Sequence, residues 1–368
     1  MNNNENNYVL QTYDYLHTIP EVGWNEYKTS KFVAEELKKF GYQVIEKVGG
    51  KTGVIGILDS GVSGPVFALR ADMDALEFED ENGKYCVHAC GHDAHTSMLL
   101  AASKEIIKNG IKKGKLYLVF QPAEEVLGGA ESIIESGLID EVEEMAGIHL
   151  RPIQEARLGY ATPALVHGAS YRIIVKIKGL NSHGARPHLG INAVDAAMLL
   201  VNAINAIHLD PSTPHSIKVT RVLAGGNTVN LIPDSADIAM DLRAQKNDVM
   251  DEMIEKAKQA IYNSVKSIGA EAEIEFIGGV PAAEYNDELV EETRLAIEDV
   301  LGQSLDPIIT IGGEDFHYYS KFKGIRTAYI GLGCDLEPGL HHPKMHFNKD
   351  ALNTGAEILE KLVQRKLG

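Results

Sequence analysis

The rhythm of apolar residues changes near residue 171 and changes back near residue 288, and this double switch constrains the fold more than any other feature of the chain. Before it, helical and strand patterns alternate. Residues 29–40 place Phe32, Val33, Leu37 and Phe40 on one stripe and stop at Gly41, as an amphipathic helix does. Short apolar runs occupy 54–58 and 66–69, a helical pattern fills 94–107, and 116–120 and 145–150 read as strands buried on both faces. Strands separated by helices predict a largely parallel sheet with helices on its faces. From 171 the order becomes strand 171–178, helix 192–208, strands 216–222 and 236–243, helix 248–268 and strand 272–277. That β-α-β-β-α-β succession is the order of a ferredoxin-like unit. A helix at 288–301 and strands at 308–311 and 327–332 then resume the first pattern. The expected fold is therefore α/β: a mostly parallel-sheet domain built from 1–168 and 280–368, interrupted by an inserted ferredoxin-like α+β domain at 169–279. A chain of 368 residues also exceeds what one hydrophobic core usually holds.

Composition narrows the partners. The formal net charge is −17 and is spread along the chain, a field that repels phosphate backbones and anionic lipid. Nucleic acid and membrane are therefore not expected partners. The opening MNNNENNYVL has neither the charged nor the apolar region of a signal peptide, and no apolar run approaches the ~20 residues that span a bilayer. Three cysteines, Cys86, Cys90 and Cys334, are too few and odd in number for a disulfide framework, which predicts a cytoplasmic protein.

In an open parallel sheet, ligands bind beyond the carboxyl ends of the strands. The strand at 66–69 runs into Arg70, Asp72 and Asp74, and the strand at 116–120 runs into Gln121-Pro122-Ala123-Glu124-Glu125. The strand at 145–150 delivers His149, Cys90 to His95 open a helix, and the last strand is followed by Gly339-Leu340-His341-His342-Pro343. Taken singly, each has an ordinary explanation. His149 could be a core histidine, Glu124-Glu125 a solvated pair, Asp72 and Asp74 caps, and Cys90 a small buried hydrophobe. Five such groups at one sheet edge point instead to a metal site, because these are the side chains that bind transition metals. Cys86 and Cys90 stand four apart with no CxxC elsewhere, which excludes zinc ribbons and iron–sulfur clusters. Zinc-deaminase, P-loop, dinucleotide and Gly-x-Ser-x-Gly motifs are missing too.

These motifs resemble the M20 metallopeptidase clan, and within it the amidohydrolase branch of hippurate, N-acetyl-amino-acid and auxin-conjugate hydrolases. The resemblance runs through His17-Thr18-Ile19-Pro20-Glu21 with Glu26, Arg70-Ala71-Asp72-Met73-Asp74, and His88-Ala89-Cys90-Gly91-His92-Asp93-Ala94-His95. It continues in Gln121 to Glu125, Gly147-Ile148-His149, Ser182-His183 with Arg186-Pro187-His188, Asn230 to Pro233, Gly313-Glu314-Asp315-Phe316 and Leu340-His341-His342-Pro343. It implies that Cys90, His92, Glu125, His149 and His341 hold two divalent metal ions per subunit (Zn, Mn, Co or Ni), with Glu124 as general acid/base. His341 is preferred over His342 because it directly follows Gly339-Leu340, as in the family pattern. The resemblance further implies a homodimer formed through the inserted lid domain, with His183 reaching into the neighbouring subunit's site. Asn230 and Arg243 would position the carboxylate of a small N-acylated amino acid. Two departures bear on substrate choice: Glu77 replaces a proline, and the stretch from Leu76 to Cys90 is shorter than usual.

The residue types suit amide hydrolysis. Two metals polarise a carbonyl and lower the pKa of a bound water, and a carboxylate beside that water moves the proton to the leaving nitrogen. Neighbouring side chains in extended backbone point opposite ways, so Glu124 and Glu125 are expected to split these roles. Without the resemblance, His183 reads as a loop or capping histidine and Arg243 as half of a surface salt bridge. A dipeptidase or aminopeptidase-like enzyme on the same metal site is the first alternative. A binding protein without catalysis is the second, though it would have to lack a ligand or the base.

Overall fold

The computed structural model describes residues 6–310 and 312–368. Contacts divide them into two compact units. One comprises the chain up to Val166 with Glu284–Ile309 and Glu314–Gly368; the other comprises His167–Ala283 with Thr310–Gly313. The second unit thus begins two residues before, and ends four residues after, the stretch 169–279 expected from the pattern.

The first unit is built on a seven-stranded sheet. In spatial order its strands are Gln43–Val48, Gly53–Asp59, Lys115–Gln121, Val66–Asp72, Glu144–Pro152, Arg326–Leu336 and Ala161–Thr162. The sheet is mixed where a largely parallel one was expected. Three central pairings are parallel, while the two at one edge and the one at the other are antiparallel. The reason is local: Gln43–Val48 and Gly53–Asp59 are joined by a tight turn through Gly49 and Gly50, and so short a connection can only reverse the chain. Val66–Asp72 is buried along its whole length, which explains its unbroken apolar reading. Helix Tyr27–Phe40 ends where Gly41 turns left-handed and donates to Leu37 and Lys38 carbonyls. Helix His92–Asn109 packs against Ala351–Leu367 and Asn6–His17, and their apolar faces share one core with the sheet. The strand expected at 308–311 covers Ile308–Thr310; Ile311 lies outside the described residues.

The second unit has the element order expected. Strands Ala169–Lys178, His215–Ala224, Ser235–Ala244 and Glu271–Val280 form an antiparallel sheet in the order His215–Ala224, Ser235–Ala244, Ala169–Lys178, Glu271–Val280. Alternate residues Ala236, Ile238, Met240 and Leu242 are buried beneath helices Ala193–Asn205 and Asn247–Lys266, as a sheet with one covered face requires.

Candidate metal centre

Parallel register decides what meets at the sheet's carboxyl edge. Asp72 lies opposite Gln121, and His149 lies opposite Gly331. Helix His92–Asn109 opens just beyond this edge. Its first turn brings His92 and His95 inward because Gly91 adopts a left-handed φ of 83° against Leu150.

The expected ligands fall into overlapping groups. The donor atoms of Cys90, His92 and His149 lie within 4.8 Å of one another, as do those of Cys90, Glu125 and His341, and those of His92, Glu124 and Glu125. Cys90 is common to the first two groups and His92 links them to the third. Hydrogen bonds aim the imidazoles. His92 Nδ1 donates to Asp74 Oδ1 at 3.2 Å, leaving Nε2 as the lone-pair nitrogen. His149 Nδ1 donates to the Leu150 carbonyl at 2.7 Å, leaving its Nε2 3.5 Å from Cys90 Sγ. Such backing fixes tautomer and ring orientation in metal sites. His95 differs: Nδ1 donates to Asp72 and Nε2 accepts the Leu150 N–H, so both nitrogens are used. His341 holds a φ of 60°, donates its N–H to the Ala89 carbonyl, and brings Nε2 within 3.5 Å of Glu125. His342 instead accepts the Lys344 N–H on Nδ1 and joins none of these groups.

Glu124 and Glu125 occupy a turn and not extended backbone, which corrects the expectation that they diverge. Ala123 and Leu127 adopt φ values of 55° and 58°, and the turn between them brings both carboxylates to His92. Asp74 holds this turn: one oxygen accepts the Glu124 N–H and the other the Glu125 N–H.

Among the buried atoms of the described residues that have no hydrogen-bond partner, two lie together in this site, His92 Nε2 and Glu125 Oε1, 3.9 Å apart. Buried polar atoms are nearly always satisfied, so this pair points to a cation as the missing partner. The donor set of one thiol, three imidazoles and a carboxylate fits Zn²⁺ and its neighbours. Burial, with the charge of Glu125, pushes the Cys90 thiol well above its usual range, and burial raises Glu125 as well. Burial, then His95 and Arg151, keeps His149 well below the usual range and so neutral, as a ligand must be. The carboxyl of Glu124 is driven well above its ordinary range by burial, then by the charges of Glu314 and Glu125.

Behind the site lies a network that sequence reasoning quoted as motifs without assigning. Arg70, 1% exposed, donates to Gln121, Asp72, Tyr329, Glu314 and Asp315. Burial is the largest influence on Asp315, and its carboxyl is pushed up to about 8 despite Arg70. Its position after Gly313 was the only signal in the sequence.

In the second unit, His183 and Asn230 meet on an exposed two-stranded ribbon. His183 pairs with Leu231, and Gly184 N–H donates to the Asn230 carbonyl at 2.7 Å. His183 Nδ1 accepts the Ala185 N–H, which puts the ring proton on Nε2. Arg243 lies on a different strand, between Ser170 and Ser216, and its Nε donates to Asp241 at 2.7 Å, the surface pair that its bland reading anticipated.

Residues 68–365 match peptidase family M20/M25/M40. The chain is 33% identical to hippurate hydrolase of Campylobacter jejuni over 96% of its own length and 94% of that protein's. It is also 33% identical to thermostable carboxypeptidase 1 of Saccharolobus solfataricus, covering 95% and 93% of the two chains. Among solved structures it superimposes on the YXEP protein of Bacillus subtilis, described as a dinuclear metal binding peptidase from the M20 family, with a TM-score of 0.84. The identity there is 24%, with 100% of this chain and 99% of that one covered.

Proposed function

Because this chain belongs to peptidase family M20/M25/M40 and is a hydrolase of its amidohydrolase branch, we propose that it cleaves the amide bond of small N-acylated amino acids. The observation that carries the proposal is the meeting of Cys90, His92, Glu125, His149 and His341 around two unpartnered buried atoms, with Glu124 beside them. These five residues would hold two divalent ions. When bound, such ions polarise the acyl carbonyl and lower the pKa of water.

The chain's own groups do the rest. Glu124 takes the proton of the attacking water and returns it to the leaving nitrogen. His183, with its proton on Nε2, donates to the developing oxyanion. Asn230 and Arg243 receive the carboxylate of the amino acid; Arg243 borders a cavity of about 500 Å³ within the second unit, beside His215 and Gln245. The exposed apolar side chains of Leu223, Val229 and Leu231 support a homodimer through that unit. Free cysteines, and the lack of any helix long and apolar enough to cross a membrane among the described residues, support a cytoplasmic setting.

The test is a substrate panel with metal analysis. Hippurate and N-acetyl amino acids should be hydrolysed at least ~10-fold faster, by kcat/KM, than dipeptides of matched sequence. Activity should vanish with chelator and return with added metal. A preference for dipeptides would favour the alternative, a dipeptidase or aminopeptidase-like enzyme on the same metal site.

A further inference from the structure

The turn that carries Glu124 and Glu125 is held by its backbone, and one of the holding groups belongs to the amino-terminal motif that the catalytic reading leaves without a role. Three successive N–H groups end on buried carboxylates. Glu124 and Glu125 donate to the two oxygens of Asp74 at 3.1 and 3.0 Å, and Ala123 donates to Glu26 Oε1 at 2.8 Å.

We propose that Glu26 is a positioning residue whose carboxylate sets the turn presenting Glu124 and Glu125 to the metal site. The inference rests on the reading of those two residues as base and ligand. Glu26 is entirely buried. A carboxylate taken out of water is costly unless its lone pairs are used, and here they tie three chain segments together. Oε1 also accepts the Trp24 N–H at 3.1 Å, and Oε2 accepts the Thr52 hydroxyl at 2.6 Å.

Ala123 needs such a hold. Its φ of 55° is left-handed, a conformation that a residue with a Cβ keeps only when its surroundings dictate it. Because Ala123 directly precedes Glu124, rotation there would re-aim both glutamates. The segment bearing Glu26 also lies closely on the turn. A Cβ on Gly23 would approach Val126, Ala123 and Asp74 at 3.1 to 3.3 Å, and one on Gly128 would lie 2.7 Å from the Trp24 ring. Glycine at both positions permits this contact.

Co²⁺ binding to the metal-free enzyme, measured against a competing chelator, separates positioning from mere cohesion. Wild type should bind two Co²⁺. Glu26→Leu leaves the Ala123 N–H without an acceptor and should weaken Co²⁺ binding ~10- to 100-fold, as loss of groups that orient ligands does. In Glu26→Gln the amide oxygen still accepts from Ala123 while the NH₂ donates to Thr52, so affinity should stay within ~3-fold of wild type. Thr52→Val removes the hydrogen bond to Glu26 Oε2 and should lower thermal stability while leaving Co²⁺ affinity intact. Should Glu26→Leu fail to fold, Gly23→Ala, which presses on the turn and leaves Glu26 in place, should show the weakened binding instead. Unchanged affinity in the folded variant, or an equal loss in Thr52→Val, overturns the proposal. A wild-type protein that binds no Co²⁺ would sink the metal reading itself, and the inference with it.

Discussion

Cys90 and Glu125 are placed where burial works against the charged forms that a cation requires. The Cys90 thiol, held well above its usual range, carries its proton at neutral pH in the metal-free protein, and that proton must leave when metal enters. The sign follows: affinity rises as pH rises, because the competing protons become scarcer. Between pH 6 and pH 8 the apparent affinity for Zn²⁺ should increase by roughly tenfold or more per pH unit, with protons released to buffer on binding. Titration calorimetry in buffers of different ionisation enthalpy measures both. An affinity flat across that range would show that the thiol is already ionised. Asp74 allows a second substitution test. Its two oxygens serve Glu124 N–H, Glu125 N–H and His92 Nδ1, and an asparagine offers only one acceptor oxygen. Asp74→Asn should therefore lower kcat/KM by ~10- to 100-fold, with weaker metal binding, as the loss of ligand-orienting partners generally does. Full activity with full metal content would assign Asp74 to cohesion alone.

Elements with one strong periodicity were legible in the sequence, and elements defined by their partners were not. Tyr27–Phe40 was readable because its apolar stripe and Gly41 are local signals. The antiparallel edge of the main sheet was not, because exposed, half-buried and buried residues follow one another in Gln43–Val48 without regular alternation. The proposed metal ligands were visible as residue types near strand ends, whereas their orientation depends on Asp74, Leu150 and Ala89, whose contacts no spacing encodes. The turn at Glu124 was misread for the same reason: left-handed Ala123 and Leu127 break an apparently extended run, and neither residue type announces it. The start of helix His92–Asn109 offers a test at this scale. Gly91 has a φ of 83°, and a Cβ there would meet Leu150 at 3.0 Å. Gly91→Ala should cost about 1–3 kcal/mol of stability through strain at that φ. Urea unfolding of the metal-free protein would measure it, and a loss below a few tenths would mean that the junction relaxes freely.

For the whole molecule, the residues proposed for catalysis fall in both units. His183 and Asn230 stand exposed on a small ribbon of the second unit, whereas every proposed metal ligand and Glu124 belong to the first. If His183 serves a neighbouring subunit, two inactive variants can repair each other. His183→Ala lacks the donor but keeps its own Glu124, and Glu124→Ala lacks the base but keeps a His183 to lend. Subunits mixed and allowed to exchange would form mixed dimers in about half of the pairs, each with one complete site, so activity should recover to about a quarter of wild type. Each variant alone should be nearly inert while retaining its metal, because neither residue is among the five proposed ligands. The recovered activity must also depend on exchange: it should be missing immediately after mixing and should grow as subunits redistribute. A mixture that stays inactive after mass spectrometry has shown mixed dimers would place His183 in its own subunit's site or outside catalysis. Recovery at the predicted level would make the dimer, and not the single chain, the catalytic unit.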